Sequence, residues 1–534
     1  MKTTRLLPAT LGVLLALGAM QAEAAKTLIY CSEGSPEGFD AARYTTGITF
    51  NAAANSTHNR LVEFERGSTR LVPGLAEKWT ISPDGLSYTF SLRKGVKFHT
   101  TAYFKPSREF NADDVVFTFD RMIHKDNPFN KALKPEPTYP YASDTGLDTD
   151  LKAVEKVDAH TVRFVLAHPV ATFLPTIAMS FAAIQSAEYA NQLLKSGRVA
   201  DFNNAPVGTG PFLFKRYDKD SQIRYAAFDQ YWGGKPAIDN LIFSITVDSA
   251  VRTQKLKTNE CQIAGQPKPE ELDTLRHAAN IKVMSQNGLN IGYIALNTRR
   301  KPLDNRDVRR ALDMAVDKQT ILKAIYQGGG TPAVNPIPPA MWSYNKQVRD
   351  AGYNPARARE LLAHAGYPNG FETTLWALPV QRPYNPDGKK MAELIQADWA
   401  RIGVKAKIVS YEWGEYKKRS RNGEGDAVSY GWIADFADPD NFLYTLLSCE
   451  AQEGGSNLAF WCNKDFNSDV TRARQTTNIA QRTRLYQDAQ LIFKREVPWI
   501  TIAHSVAYVP MNTHVQGFKI SPLGDMVFNG VSLK

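Results

Sequence analysis

Cysteine is scarce in this chain, four residues in 534, and no two of them form a C-x-x-C pair, so a dithiol redox centre and a thiolate zinc site are both excluded. The nine histidines are scattered, with no H-E-x-x-H and no Cys/His cluster at metal spacing. G-x-S-x-G is absent, and with it the sequence sign of a serine-hydrolase elbow. Gly-Thr-Gly at 208–210 and Gly-Gly-Gly at 328–330 lack a following Lys-Ser/Thr, so they read as turns and not as phosphate cradles. No run of five like charges occurs, and repeats and low-complexity tracts are missing. Beyond the N-terminus nothing approaches the ~20 uninterrupted apolar residues of a membrane span. No catalytic residue, metal site or cofactor is expected from these patterns.

What is present begins with MKTTR, a short apolar run and Ala22-Glu23-Ala24. A basic start, an apolar stretch too short to span a bilayer and an A-x-A site predict a cleaved secretory signal over residues 1–24, and hence export to the periplasm. The first cysteine, Cys31, follows Tyr30, which argues against a lipid anchor. Lys2, Arg5 and Glu23 leave with the signal, taking the formal charge from +10 to +9. The charges are dispersed, and a nucleic-acid partner is not expected of an exported chain. About 510 residues exceed what one core supports, so two or three structural units are expected.

Four cysteines allow three pairings. Cys449 and Cys462 flank a Gly-Gly turn that can bring them together, so the expected bridges are Cys449 with Cys462 and Cys31 with Cys261. The second would tie the mature N-terminus to the middle of the chain, implying a domain built from distant segments.

Periodicity predicts a mixed α/β protein. Residues 26–34 read as a core strand, and Tyr88, Phe90 and Leu92 alternate with polar residues after an Asp84-Gly85 turn, as in a hairpin with one buried face. Asn111 is a candidate N-cap for an amphipathic helix carrying Val115, Val116, Phe119 and Met122. Residues 303–330 read as one long helical pattern closed by glycines, and two helix-then-strand repeats follow from Asn354 and from Lys389.

One stretch, SYGWIADFADPDNF at 429–442, sets three aspartates in apolar surroundings. Three carboxylates so close in sequence seldom oppose one another across a scissile bond, which weakens a glycosidase reading. Asp438 and Asp440, around Pro439, carry a turn and N-cap signature for the helix that follows. Asp435 ends a strand-like run instead, and a carboxylate there is costly unless a protein cation or a ligand ammonium pairs with it.

Five ordered blocks, LVPGLAEKWTISPDGLSYTFSLRKGVKFH, FNADDVVFTFDRM, NNAPVGTGPFLFKRY, LDNRDVRRALDMAVDKQTIL and GYNPARARELLAHAGYPNGFE, resemble the family-5 extracellular solute-binding proteins, the peptide and nickel receptors of ATP-binding-cassette (ABC) importers. The resemblance runs from about Lys26 to the C-terminus. Within the family, residues 26–40, 378–393 and 429–449 are most similar to the dipeptide receptors. The resemblance implies a bilobal α/β periplasmic-binding-protein fold of type II with three domains. Domain I would be discontinuous, over 25–58, 209–286 and 505–534, with domain II over 59–208 and domain III over 287–504. Both expected disulfides match the family's.

The resemblance also assigns roles. It places the ligand α-ammonium on Asp435 and the C-terminal carboxylate on Arg382. Gly431, Trp432, Ile433 and Tyr384 would line the pocket, and Ser32, Glu33 and Gly34 the opposing wall. It implies a monomer that captures dipeptides, and tripeptides at its limit, and delivers them to an inner-membrane ABC permease. The same fold binding haem, a nickel complex, a longer oligopeptide or a glycan is the alternative. A secreted carboxylate hydrolase is the alternative from another class.

Overall fold

The computed structural model describes residues 25–454 and 456–534, so the expected leader and Gly455 of the Gly-Gly turn lie outside the described residues. Most of the predicted strands join one twelve-stranded sheet. Its path runs through Lys405–Val409, Glu372–Trp376, Ala427–Ile433, Asn290–Leu296, Trp499–Asn512, Ile263–Ala264, Thr27–Ser32, Asn240–Ile245, Gln222–Ala227 and Phe212–Asp218.

The fourteen-residue strand Trp499–Asn512 joins the two lobes. Its first part pairs antiparallel with Asn290–Leu296 and its second part with Ile281–Asn287. The chain crosses between the lobes twice side by side, at Gly288 and at Ser505, where the Gly288 N–H donates to Ser505 O at 3.0 Å. Asn290 reinforces the crossing: its Nδ2 donates to Ser505 O at 3.0 Å, and its Oδ1 accepts from Ser505 N at 2.8 Å. A Cβ at Gly288 would overlap the Asn290 amide, so glycine is required there by space.

The apolar residues sort by lobe. One core gathers Phe90, Val115, Phe119, Phe164 and Phe173 beneath a separate four-stranded antiparallel sheet, Ala76–Ile81, Ser87–Leu92, Thr161–Leu166 and Leu151–Asp158. Another gathers Leu28, Tyr30, Leu241 and Phe243 with the C-terminal Met511, Phe528 and Val531. The opposite lobe holds Ile294, Leu312, Ile395, Trp399 and Ile500 on one sheet face, and Tyr293, Phe442, Tyr486 and Trp499 on the other.

The local expectations hold at the hairpin and at most helix starts. Asn111 caps Ala112–Ile123 in a capping box with Asp114. Asn354 accepts from Arg357 N at the start of Pro355–His364, and Gly366, at φ 92°, ends the turn that follows. The expected long helix over 303–330 is a correction. It divides into Arg306–Met314, Lys318–Ile321 and a π-helical turn Leu322–Tyr326, because Asp317 turns its side chain back onto Thr320 N and starts a new helix.

Both disulfides are formed. Cys31 bridges to Cys261, 230 residues away, and ties the strand Thr27–Ser32 to the segment leading into its neighbour Ile263–Ala264; Cys449 bridges to Cys462.

Candidate functional site

A cavity of about 270 Å³ lies between the lobes. Asp435, Arg382, Trp432, Gly431, Ile433, Tyr384 and Glu33 all line it. Ser32 and Gly34 stand behind the wall: Ser32 is buried with its hydroxyl on Gly34 O at 3.0 Å, and Gly34 packs toward Ile48.

Asp435 sits two residues beyond the strand Ala427–Ile433, at the start of the turn into the helix Asp440–Leu447. Its Oδ1 accepts from the Tyr141 hydroxyl at 2.7 Å, and its Oδ2 from Asn441 Nδ2 at 3.1 Å. Asn441 Oδ1 in turn accepts from Asp435 N at 2.8 Å and from Trp432 Nε1 at 3.0 Å. One amide therefore fixes the carboxylate, its backbone and the indole together. Among the described residues no cation forms an ion pair with Asp435. Burial raises its pKa to about 7 against the pull of the Tyr141 and Asn441 hydrogen bonds, and the Asp525 and Asp144 carboxyls add to the rise.

The other two aspartates of the stretch are engaged elsewhere. Asp438 Oδ1 accepts from Asp440 N at 3.0 Å, holding the first turn of the helix, and both its oxygens take the Arg482 guanidinium at 2.8 and 2.9 Å. Asp440 caps nothing, which corrects the expectation for that residue. It is buried, accepts from the Tyr486 hydroxyl at 3.3 Å and from Thr172 of the facing lobe at 3.4 Å, and lies 4.0 Å from Arg474.

Arg382 is presented by the 378–387 loop. Tyr384 lies with its ring in a depression left by two paired glycines, Gly431 and Gly292, where a Cβ on either would overlap the tyrosine. The Tyr326 hydroxyl donates to Tyr384 O at 2.6 Å, Ser505 Oγ to Pro383 O at 2.7 Å, and Asn385 Nδ2 to Ser429 Oγ at 3.0 Å. Tyr384 thus supports the loop while lining the cavity. The Arg382 guanidinium donates to Gln381 O at 2.9 Å and lies 5.4 Å from the Trp413 ring centroid. No carboxylate among the described residues pairs with it, and the guanidinium is outside ion-pair distance of Asp435.

Further contacts join the lobes. Besides Tyr141 with Asp435, Arg474 reaches Asp150 at 2.6 Å and Thr145 O, Lys417 reaches Glu37 at 3.2 Å, and Gln381 donates to Gln266 O at 3.1 Å. Tyr141 and Asn441 are the residues that sequence reasoning missed. Asn441 had a signal, its place in Asp-Pro-Asp-Asn, but that signal reads as capping. Tyr141 had none, since it comes from a distant segment.

Residues 70–454 match the family described as bacterial extracellular solute-binding proteins, family 5 Middle. The chain belongs to this family. Among solute-binding relatives, "Di/tripeptide-binding protein 1" of Pseudomonas aeruginosa is 54% identical over 531 residues, covering 99% of this chain and 98% of the relative. "Heme-binding protein A" of Haemophilus influenzae is 47% identical over 507 residues, covering 95% and 92%. The crystal structure of a family member, the dipeptide binding protein from Pseudoalteromonas in complex with Met-Leu, superposes with a TM-score of 0.91 at 39% identity, covering 95% of this chain and all of that one. The bilobal mixed α/β fold expected from the resemblance is the fold of this solute-binding protein.

Proposed function

We propose that this solute-binding protein captures dipeptides, and tripeptides at its limit, in the periplasm and presents them as a monomer to an inner-membrane ABC permease. The observation that carries the reading is the pair of unmatched charges in one cavity. Among the described residues Asp435 is hydrogen-bonded but has no cation, and Arg382 is braced but has no carboxylate. A zwitterionic dipeptide supplies both partners, with its charges roughly 7 Å apart at full extension. The guanidinium suits a carboxylate through two parallel N–H bonds, and the ammonium suits a carboxylate that is already oriented. Charges at both ends read the ligand's length, while backbone near Gly431 pairs with its peptide unit regardless of side chain.

The domain division follows the same reading. Domain I comprises 25–58, 209–286 and 505–534, domain II 59–208 and domain III 287–504, and the paired crossings near Gly288 and Ser505 serve as the hinge. Met1–Ala24 is the export signal. In the bound state Tyr141 closes over Asp435 from domain II and excludes water from the ammonium site.

Mass spectrometry of ligand released from purified protein tests the reading directly, with a mixture of dipeptides as the expected result. The haem-binding relative favours a second reading in which the same cleft takes a haem. The cavity, about 270 Å³, is at the lower end of small-molecule sites and suits a dipeptide better than a macrocycle. A stoichiometric Soret-absorbing complex with haem, together with no calorimetric response to dipeptides, would reverse that preference.

A further inference from the structure

Asp525 is a further carboxylate in the cavity, supplied by the C-terminal segment. It sits beside the Asp435 end of the site. Its neighbour Gly524 packs on Ile433, so that a Cβ there would stand 3.6 Å from Ile433 Cγ2, and the Asp525 charge is felt at Asp435. Asp525 Oδ1 accepts from Asn55 Nδ2 at 3.1 Å. That amide is itself oriented, because Asn55 Oδ1 accepts from Arg60 Nη1 and from Ser180 Oγ, both at 3.2 Å. Ser180 precedes Phe181, whose ring stacks on Tyr141 at 5.6 Å, the same tyrosine that donates to Asp435.

Among the described residues no basic side chain forms an ion pair with Asp525, and its Oδ2 takes no hydrogen bond. Burial raises the Asp525 pKa, and Arg60, which lies behind Asn55 without contacting the carboxylate, pulls the other way, so a cation brought to Asp525 favours its ionised form. The α-ammonium and the first side chain of a peptide leave the same Cα, so fixing the ammonium on Asp435 brings that side chain to the neighbouring wall. One ammonium satisfies one carboxylate and leaves the other desolvated and unpaired, which is costly. An anionic first side chain would meet two negative groups.

We propose that Asp525 receives a cationic side chain on the first residue of the bound peptide, so that the protein prefers dipeptides beginning with lysine, ornithine or arginine. This rests on the peptide reading above. The test is calorimetric titration of the full-length mature protein and of Asp525→Asn with three dipeptides: Lys-Ala, norleucine-Ala and Ala-Ala. Asparagine keeps an acceptor for Asn55, and thermal melting verifies the fold. The wild type is expected to bind Lys-Ala about tenfold more tightly than norleucine-Ala, the scale of one partly screened ion pair. Asp525→Asn should abolish that ratio while Ala-Ala still binds, its affinity shifted by the same factor as that of norleucine-Ala because both feel the Asp525 charge only through Asp435. Equal affinities for Lys-Ala and norleucine-Ala in the wild type, or a lysine preference that survives in Asp525→Asn, would overturn the inference while leaving the dipeptide reading intact. Failure of the wild type to bind Ala-Ala or either other dipeptide would overturn both.

Discussion

The Tyr141 hydroxyl donates to Asp435 Oδ1 at 2.7 Å from the opposite lobe, so the residue that orients the carboxylate is in place only when the lobes have come together. Burial would otherwise favour the protonated acid, and the hydroxyl and the Asn441 amide work against it. The balance puts the titration near pH 7, where a ligand cation can decide it.

Dipeptide binding should therefore be coupled to proton release. An ammonium binds the ionised carboxylate, so at pH 6, where Asp435 is mostly protonated, binding should release close to one proton; at pH 8 its share should vanish. Affinity should rise between pH 5 and 7 and then level. Titration calorimetry in two buffers of different ionisation enthalpy reads the proton count, and a count that does not change from pH 6 to 8 would contradict the assignment.

Asp435→Asn should weaken dipeptide binding by 2–5 kcal/mol, roughly 30-fold or more, because a buried ammonium loses its partner. The same substitution should stabilise the unliganded protein at high pH. An acid that titrates near 7 when folded and near 3.9 when unfolded penalises the ionised folded state by up to about 4 kcal/mol above pH 7, and the penalty fades as pH falls toward 4. Melting temperature of the variant should exceed that of the wild type at pH 8 and match it at pH 4.

Arg382→Ala should cost a free dipeptide a similar amount but leave a C-terminally amidated dipeptide nearly unaffected, since the amide has no carboxylate to lose. Comparing two ligands with two proteins isolates the interaction. An equal loss for both ligands would mean that the substitution disturbs the loop and not a charge contact.

Gly431→Ala places a methyl group against the Tyr384 ring and within 2.5 Å of Ile291 O. The tyrosine must leave its depression, and Arg382, two residues earlier, moves with it. We expect a loss of stability of about 1–3 kcal/mol from overpacking and a loss of dipeptide affinity larger than that of Ile433→Val, measured by denaturant unfolding and calorimetry.

Much of the fold was legible in local pattern. Tyr88, Phe90 and Leu92 alternate because one face of their strand is buried, and Asn111 and Asn354 cap helices because their short side chains reach the first free N–H groups. The break at Asp317 was illegible, because apolar periodicity continues through it and only the competing side-chain bond to Thr320 N shows the interruption. The division of labour in the Asp435, Asp438 and Asp440 stretch was half legible. Position at a strand end set Asp435 apart, but the Arg482 pair on Asp438 and the burial of Asp440 against Thr172 depend on helices and segments far away in sequence.

The sequence by itself determined the family, the alternation and capping that build its strands and helices, and the chemical types at the site, an acid after an apolar strand and an arginine in a proline-flanked loop. Those are local properties, readable because side-chain periodicity and turn chemistry act over a few residues. Only the tertiary structure decided that among the described residues Asp435 has hydrogen-bond donors but no cation, that Tyr384, two residues after Arg382, rests in a depression left by two glycines, and that Asp525 faces the same space. Tyr141 and Asp435 stand 294 residues apart and Asn55 and Asp525 470, and they meet in one cavity, where removal of water makes an unmatched charge expensive enough to select a ligand.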